Sequence, residues 1–276
     1  KKPIALDYAY AKYTPYPWID IIGGKFVNPI WEPTDMVWDT DINPEGGSIN
    51  LKKALNNRLD VFLNTGIFVL GESGSAKEND DPMMYILQPG FNYKVTDKIS
   101  VKTALTYNNS SNVKGRVLSG TTGTNTLSGG FLRYDYIVVG PVAQIDIDAP
   151  FASTNIPLLK GIGRLSLFSE YVNNTLVSDE NNGFAVGFNL GAPKVQAFGD
   201  WQFRYIYTML EKDAVLDILP DSDRFVGKTG VRAHEGIITF GLGKNTALGL
   251  DVYRSWGITN SKGAETLVQL DWNMKF

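Results

Sequence analysis

The chain has no cysteine, one histidine and no long apolar run. The missing cysteine excludes disulfide frameworks, thiolate metal sites and cysteine nucleophiles. His234 alone excludes any mechanism that needs two imidazoles. No stretch approaches the roughly 18 consecutive apolar residues of a membrane helix. Charge of one sign is also scarce: 26 Lys and Arg stand against 29 Asp and Glu in 276 residues, a formal net charge of −3. A general nucleic-acid binder needs a basic face to displace phosphate counterions, so nucleic acid is not an expected partner. Helical periodicity is nearly absent. KKPIALDYAY has neither the apolar core nor the small-residue cleavage site of a signal peptide, so a processed, truncated or partial chain is expected.

What is present is glycine, 28 residues, and aromatics: 6 Trp, 13 Tyr and 14 Phe. The apolar residues fall into alternating runs. In Glu265–Phe276, Thr266, Val268, Leu270, Trp272, Met274 and Phe276 share one face, while Leu267, Gln269, Asp271, Asn273 and Lys275 share the other. The pattern recurs at Phe184–Leu190, Trp201–Met209, Ile238–Leu242, Ile99–Tyr107, Tyr85–Tyr93, Leu59–Val69 and Leu6–Tyr10, with Ile206 breaking one polar face. A mean hydropathy of −0.13 looks soluble. A transmembrane barrel nevertheless shows lipid only at every second residue, so its mean hydropathy also stays near zero.

The alternation predicts about thirteen strands, at 4–13, 17–25, 48–54, 58–70, 83–95, 98–109, 131–149, 162–174, 181–192, 197–211, 235–244, 246–257 and 264–276. Within 131–149, Tyr134, Tyr136 and Val138 share a face that Ala143, Ile145 and Ile147 continue, which predicts a β-bulge at Gly140-Pro141. Connections alternate between short and long, the long ones being 26–47, 71–82, 110–130 and 212–234, as in outer-membrane barrels. The links 150–161 and 175–180 break that rule. The fold class expected is all-β: one transmembrane antiparallel up-and-down β-barrel over 1–276. Strand parity implies missing first strands and about sixteen strands when complete.

Two stretches then resemble the bacterial putative-porin family of outer-membrane barrels: Gly23–Gly46 (GGKFVNPIWEPTDMVWDTDINPEG) and Asp200–Asp223 (DWQFRYIYTMLEKDAVLDILPDSD). Trp272–Phe276 is similar to the aromatic-ended C-terminal strand of such barrels. The resemblance implies a bacterial outer-membrane location and passive passage of small hydrophilic solutes and ions. It implies no catalysis and no cofactor. Family type and size suggest a homotrimer embedded in outer-membrane lipids.

In that reading the charged side chains of the polar face line a pore: Lys102, Arg164, Glu170, Arg204, Asp251 and Asp271 near mid-strand, with Arg133, Asp135, Asp146 and Asp148 nearer the ends. Facing rings of opposite charge would orient dipolar solutes, and side-chain bulk would set the size limit. Cross-strand pairing that merely stabilises the wall is the plainer account of the same charges. Interface aromatics would include Tyr8, Tyr10, Trp18, Tyr93, Tyr107, Tyr134, Tyr171, Trp201, Tyr207, Trp256 and Trp272.

The acidic loop Glu32, Asp35, Asp39 and Asp41 is a candidate constriction loop that folds inward. The alternatives are a plain external loop or a cation site. The EF-hand template fails because its glycine position falls on Pro44. Gly241–Thr246 is a poor match to a phosphate loop and reads as a turn. Asp213–Leu219 predicts a short helix whose apolar residues pack its loop. Two rival functions remain: a plugged adhesive or envelope-tethering barrel, and a barrel hydrolase built on His234. The hydrolase lacks a Gly-x-Ser-x-Gly elbow.

Overall fold

Alternating apolar residues with β-branched and aromatic enrichment favour strands that present two unlike faces. The computed structural model, which describes residues 6–72, 81–259 and 263–275, has that character throughout. Its elements are β1 (Ala9–Tyr16), β2 (Ile19–Lys25), β3 (Glu45–Ala54), β4 (Leu59–Val69), β5 (Met83–Lys94), β6 (Ile99–Ser111), β7 (Leu127–Ser128), β8 (Phe131–Leu132), β9 (Tyr136–Asp148), α1 (Pro157–Lys160), β10 (Arg164–Asn174), β11 (Asn182–Gly191), β12 (Trp201–Leu210), β13 (Val231–Gly243), β14 (Thr246–Gly257) and β15 (Glu265–Met274). All the strands but β7 and β8 form one 13-stranded antiparallel sheet whose order follows the chain, with β1 and β15 as its edges. Among the described residues no helix is long and apolar enough to cross a membrane, which says nothing about crossing by strands.

The strand expectations hold to within a few residues at most ends. Three details differ. Residues 131–149 are not one strand: β7 and β8 make a small hairpin and the wall strand β9 starts only at Tyr136. The bulge at Gly140-Pro141 is absent, because β9 pairs with β6 in one unbroken register from Ile99↔Ile147 to Ser110↔Tyr136. The Tyr171 carbonyl instead crowds Gly140, where an added Cβ would lie 1.8 Å from its oxygen. Residues 213–219 form turns and no helix. Phe276, the aromatic end of the expected C-terminal strand, lies outside the described residues, as do positions 4 and 5 of the expected first strand.

The long connections 26–44, 112–135 and 211–230 fold back over the same face of the sheet. Met36, Val37 and Trp38 of the first, Val113, Leu118 and Leu132 of the second, and Ala214, Val215, Leu216 and Leu219 of the third form one buried cluster. Its wall side is Phe68, Met84, Ile86, Tyr136, Val138, Ile206, Leu210 and Val231. Burying each such side chain contributes about 1.5–3 kcal/mol. This cluster explains Ile206, and it explains the misread strand. Tyr136, Val138 and Val142 point toward the folded connections, so the face that carries Gln144 and Asp146 becomes apolar at its far end.

The opposite face stays apolar and exposed, with Tyr85, Leu87, Phe91, Leu105, Leu167, Val186, Ile238, Phe240, Leu250, Val268, Leu270 and Trp272 among its members. Tyr10 is an exception to the expected aromatic belt. It pairs with Gly24, Gly24 with Gly46, and Gly46 with Phe68, so it shares the face of the folded connections. Gly24 and Gly46 adopt φ of 124° and 149°. A Cβ on either would lie within 2.4 Å of a neighbouring strand's carbonyl oxygen, so only glycine fits this close approach.

Candidate functional site

Register lines up the polar side chains on the loop-bearing face. Asp146, Ser166, Asn189, Arg204, Ile237, Asp251 and Gln269 pair successively across β9 to β15. A neighbouring row runs Asp60, Asn92, Lys102, Gln144, Phe168, Gly187, Ile206 and Glu235 across β4 to β13. Lys102, Arg164, Glu170, Arg204, Asp251 and Asp271 therefore all lie on one face. Arg133 and Asp135 do not belong to the wall. They precede β9, where the Asp135 carboxylate accepts hydrogen bonds from the backbone N–H groups of Val113 and Lys114, each at 3.0 Å, and so pins the connection.

The first long connection crosses these rows. Gln88 of β5, fully buried, grips Trp31 at both backbone groups: its Oε1 accepts from the Trp31 N–H at 2.9 Å and its Nε2 donates to the Trp31 carbonyl at 2.8 Å. Asn64 and Thr106 hold the Gln88 amide from either side. Lys102 Nζ sits 3.9 Å from the Trp31 ring centroid, a cation–π contact. Thr34 donates to Glu170 Oε2 at 2.6 Å, and Arg204 donates to the Pro33 carbonyl and to Asn189. Residues 31–34 are thus tied to strands β5, β6, β10 and β12.

Of the four acids in that connection, Glu32 and Asp35 face this junction. Burial, followed by the charges of Glu170 and Asp35, pushes the Glu32 carboxyl well above the usual carboxylate range. Asp35 pairs with Arg224 of the last long connection, and Asp221 Oδ2 lies 3.6 Å from the same guanidinium. Burial works against the charge of Arg224, but Asp35 and Asp221 outweigh it and its pKa is raised. Burial and the Asp35 charge push Asp221 up to about 7. Asp39 turns away from the junction: its carboxylate accepts from the N–H groups of Asp41 and Ser222, both at 2.9 Å. Asp41 is exposed, and the Asp39 charge raises its pKa.

Asp35, Asp221 and Glu235 bring carboxylate oxygens within 4.8 Å of one another. Arg224 lies among them and supplies the compensating cation. Glu235 Oε2 and Asp251 Oδ1 are buried without hydrogen-bond partners. Glu235 and Arg224 were invisible as site residues in sequence. Glu235 follows His234 and reads as rim, yet it is buried on the loop-bearing face while His234 is exposed on the other. His234 Nδ1 shares a 2.6 Å hydrogen bond with the Tyr205 hydroxyl, so its partner is a phenol and not a serine.

The second and third folded connections lock together. Asp213 accepts from the Thr126 N–H and hydroxyl and from the Tyr136 hydroxyl. Asp217 accepts from the Thr121 hydroxyl at 2.9 Å and the Thr124 N–H at 2.8 Å, while Asn125 donates to the Lys212 and Val215 carbonyls. Recesses lie elsewhere on the loop-bearing face. One of about 510 Å³ is lined by Trp18, Asp20, Trp31, Asn50, Lys52, Asn64, Asn92 and Lys102, among others. Another of about 140 Å³ is lined by Gln144, Asp146, Arg164, Ser166, Asn189 and Gln202, with Ala192 and Pro193. In the latter, Arg164 Nε donates to Asp148 at 2.6 Å.

A large antiparallel meander with one apolar face, and with connections folded over the other, defines an all-β protein of porin type. The sequence matches the family described as putative porin over residues 1–137 and 148–276, and the chain belongs to that family. No curated protein matches it by sequence. Among solved structures it is similar to OprB of Pseudomonas putida, with 13% identity and a TM-score of 0.57, over 97% of this chain and 72% of that one. At that identity the likeness concerns the fold.

Proposed function

We propose that the protein is a bacterial outer-membrane channel for passive diffusion of small hydrophilic solutes and ions. The observation that carries this reading is the separation of the two faces. One is largely apolar and exposed on most wall strands from β4 to β15, interrupted at Arg232, His234 and Arg254; the other is lined by Lys102, Arg164, Glu170, Arg204 and Asp251. Lipid on the first side and water on the second satisfy both. Further strands close the gap between β1 and β15, giving a barrel of about sixteen. The connection 26–44 narrows the lumen, Glu32 and Asp35 face the passage, and the recess beside Lys102 and Asn64 is the wider part of the path. Protomers assemble as trimers.

The apolar cluster beneath the folded connections favours a second reading, in which the lumen is plugged and the barrel serves adhesion or tethering. Planar-bilayer recording of the full-length protein separates the two. Steady ohmic steps are expected, and a silent bilayer with correctly folded protein would refute the channel.

A further inference from the structure

The face without folded connections breaks its own rule at one place. Across β4 to β15 its members are apolar, aromatic or small polar residues, with three exceptions: Arg232, His234 and Arg254. All three are basic residue types, and they are neighbours. His234 pairs with Arg254 across β13 and β14, and Arg232 lies two residues from His234 on the same side of β13. Among the described residues none of them is in an ion pair. Arg254 donates one N–H to Thr266 at 2.7 Å, and Arg232 Nε is buried without a hydrogen-bond partner. Tyr207 and Trp256 flank the imidazole at 5.1 and 5.4 Å between ring centroids.

Position along the strand matters as much as charge. His234 is the fourth residue of β13, at the end where the long connections emerge. With a rise of about 3.3 Å per residue and a strand tilt of about 45°, it lies roughly 7 Å from the strand end. That is headgroup depth, where cationic side chains on a lipid-facing wall are tolerated and aromatics are favoured. Guanidinium groups match phosphate oxygens in geometry as well as charge.

We propose that Arg232, His234 and Arg254 form a binding site for the phosphate of a lipid in the leaflet at the long-connection end, with Trp256 and Tyr207 packing against its glycerol or sugar backbone. The proposal rests on the reading that this face meets lipid. Native mass spectrometry of the full-length protein in a neutral detergent tests it. The probes are dipalmitoyl phosphatidic acid, the matching diacylglycerol, and inorganic phosphate as competitor. A phosphatidic acid adduct is expected on the wild type, reduced about thirtyfold when Arg232→Gln and Arg254→Gln are combined, since each basic residue near a membrane surface contributes about one factor of five. Diacylglycerol should bind weakly and equally to both proteins. An undiminished adduct on the double variant or equal binding of the two lipids would overturn the phosphate site alone, and displacement by equimolar inorganic phosphate would overturn a lipid as its occupant. A folded protein that stays in solution without detergent and retains neither lipid would overturn the membrane reading beneath it.

Discussion

Asp35 and Arg224 lie 189 residues apart in sequence and form an ion pair in which the guanidinium is 1% exposed and the carboxylate 22% exposed. The pair joins the first long connection to the last. The same two segments are also joined by hydrogen bonds of Asp39 with Leu219 and Ser222 and of Asp35 with Asp221, and by the shared apolar cluster.

Arg224→Met leaves Asp35 and Asp221 in a buried setting without their cation. Losing one partner of a buried pair costs about 3–5 kcal/mol. Limited proteolysis should therefore cut within 211–230 far faster in the variant, and single-channel traces should become noisier. Asp35→Asn should also be costly, because it strands the guanidinium, the more deeply buried of the two charges, with Asp221 as its remaining partner. Unchanged cleavage in Arg224→Met would mean that the apolar cluster alone holds the connections.

Asp221 adds a pH dependence whose sign follows from its raised pKa of about 7 against an ordinary value of 3.8. Between those values the docked connection holds a proton that a released one would have lost. Acid therefore favours docking, and the advantage disappears as pH rises through about 7. Protection of 211–230 from protease should be at least about tenfold greater near pH 5.5 than near pH 8. Asp221→Asn should flatten that difference.

Gln88→Leu keeps the volume of the buried side chain and deletes four hydrogen bonds, two of them to the Trp31 backbone. At about 1 kcal/mol each, and more where a buried group is left unpaired, the tether of the first connection weakens by several kcal/mol. Open-channel conductance should rise and its variance should grow. An unaltered conductance would show that residues 31–34 do not border the path.

Most of the wall was legible in the sequence because lipid-facing positions repeat every second residue regardless of what covers the other face. Leu59–Val69 and Glu265–Met274 show that period plainly. Legibility failed where the covered face turned apolar. Tyr136 and Val138 pack under folded connections, so parity alone put the first part of β9 on the lipid side, although it placed Ala143, Ile145 and Ile147 correctly, and it demanded a bulge between the two. The acidic connection was legible as a candidate for inward folding. Its partners were not, since Gln88, Arg204 and Arg224 carry no local period that links them to residues 31–35. Glu235 was missed for the same reason: beside His234 it looks like rim, and only the register with Ile206 reveals which way it faces.

Arg204 allows charge and tethering to be separated. It sits in the row that runs from Asp146 to Asp251, and it donates to the Pro33 carbonyl and to Asn189. Arg204→Gln removes a positive charge from a region that holds Glu32, Asp35, Glu170, Glu235 and Asp251, so the reversal potential in a salt gradient should move toward cations. The same variant frees Pro33, so conductance should also rise. Arg204→Lys keeps the charge but loses the planar fork that reaches two acceptors. It should retain wild-type selectivity while still raising conductance. Arg164→Gln, level with Gln202 and so two residues nearer the short turns, beside Asp146 and Asp148, should shift preference in the same direction without affecting the tether. If Arg204→Gln and Arg204→Lys shift selectivity equally, the effect belongs to the displaced connection. If neither Arg204→Gln nor Arg164→Gln shifts it, neither guanidinium borders the narrowest section.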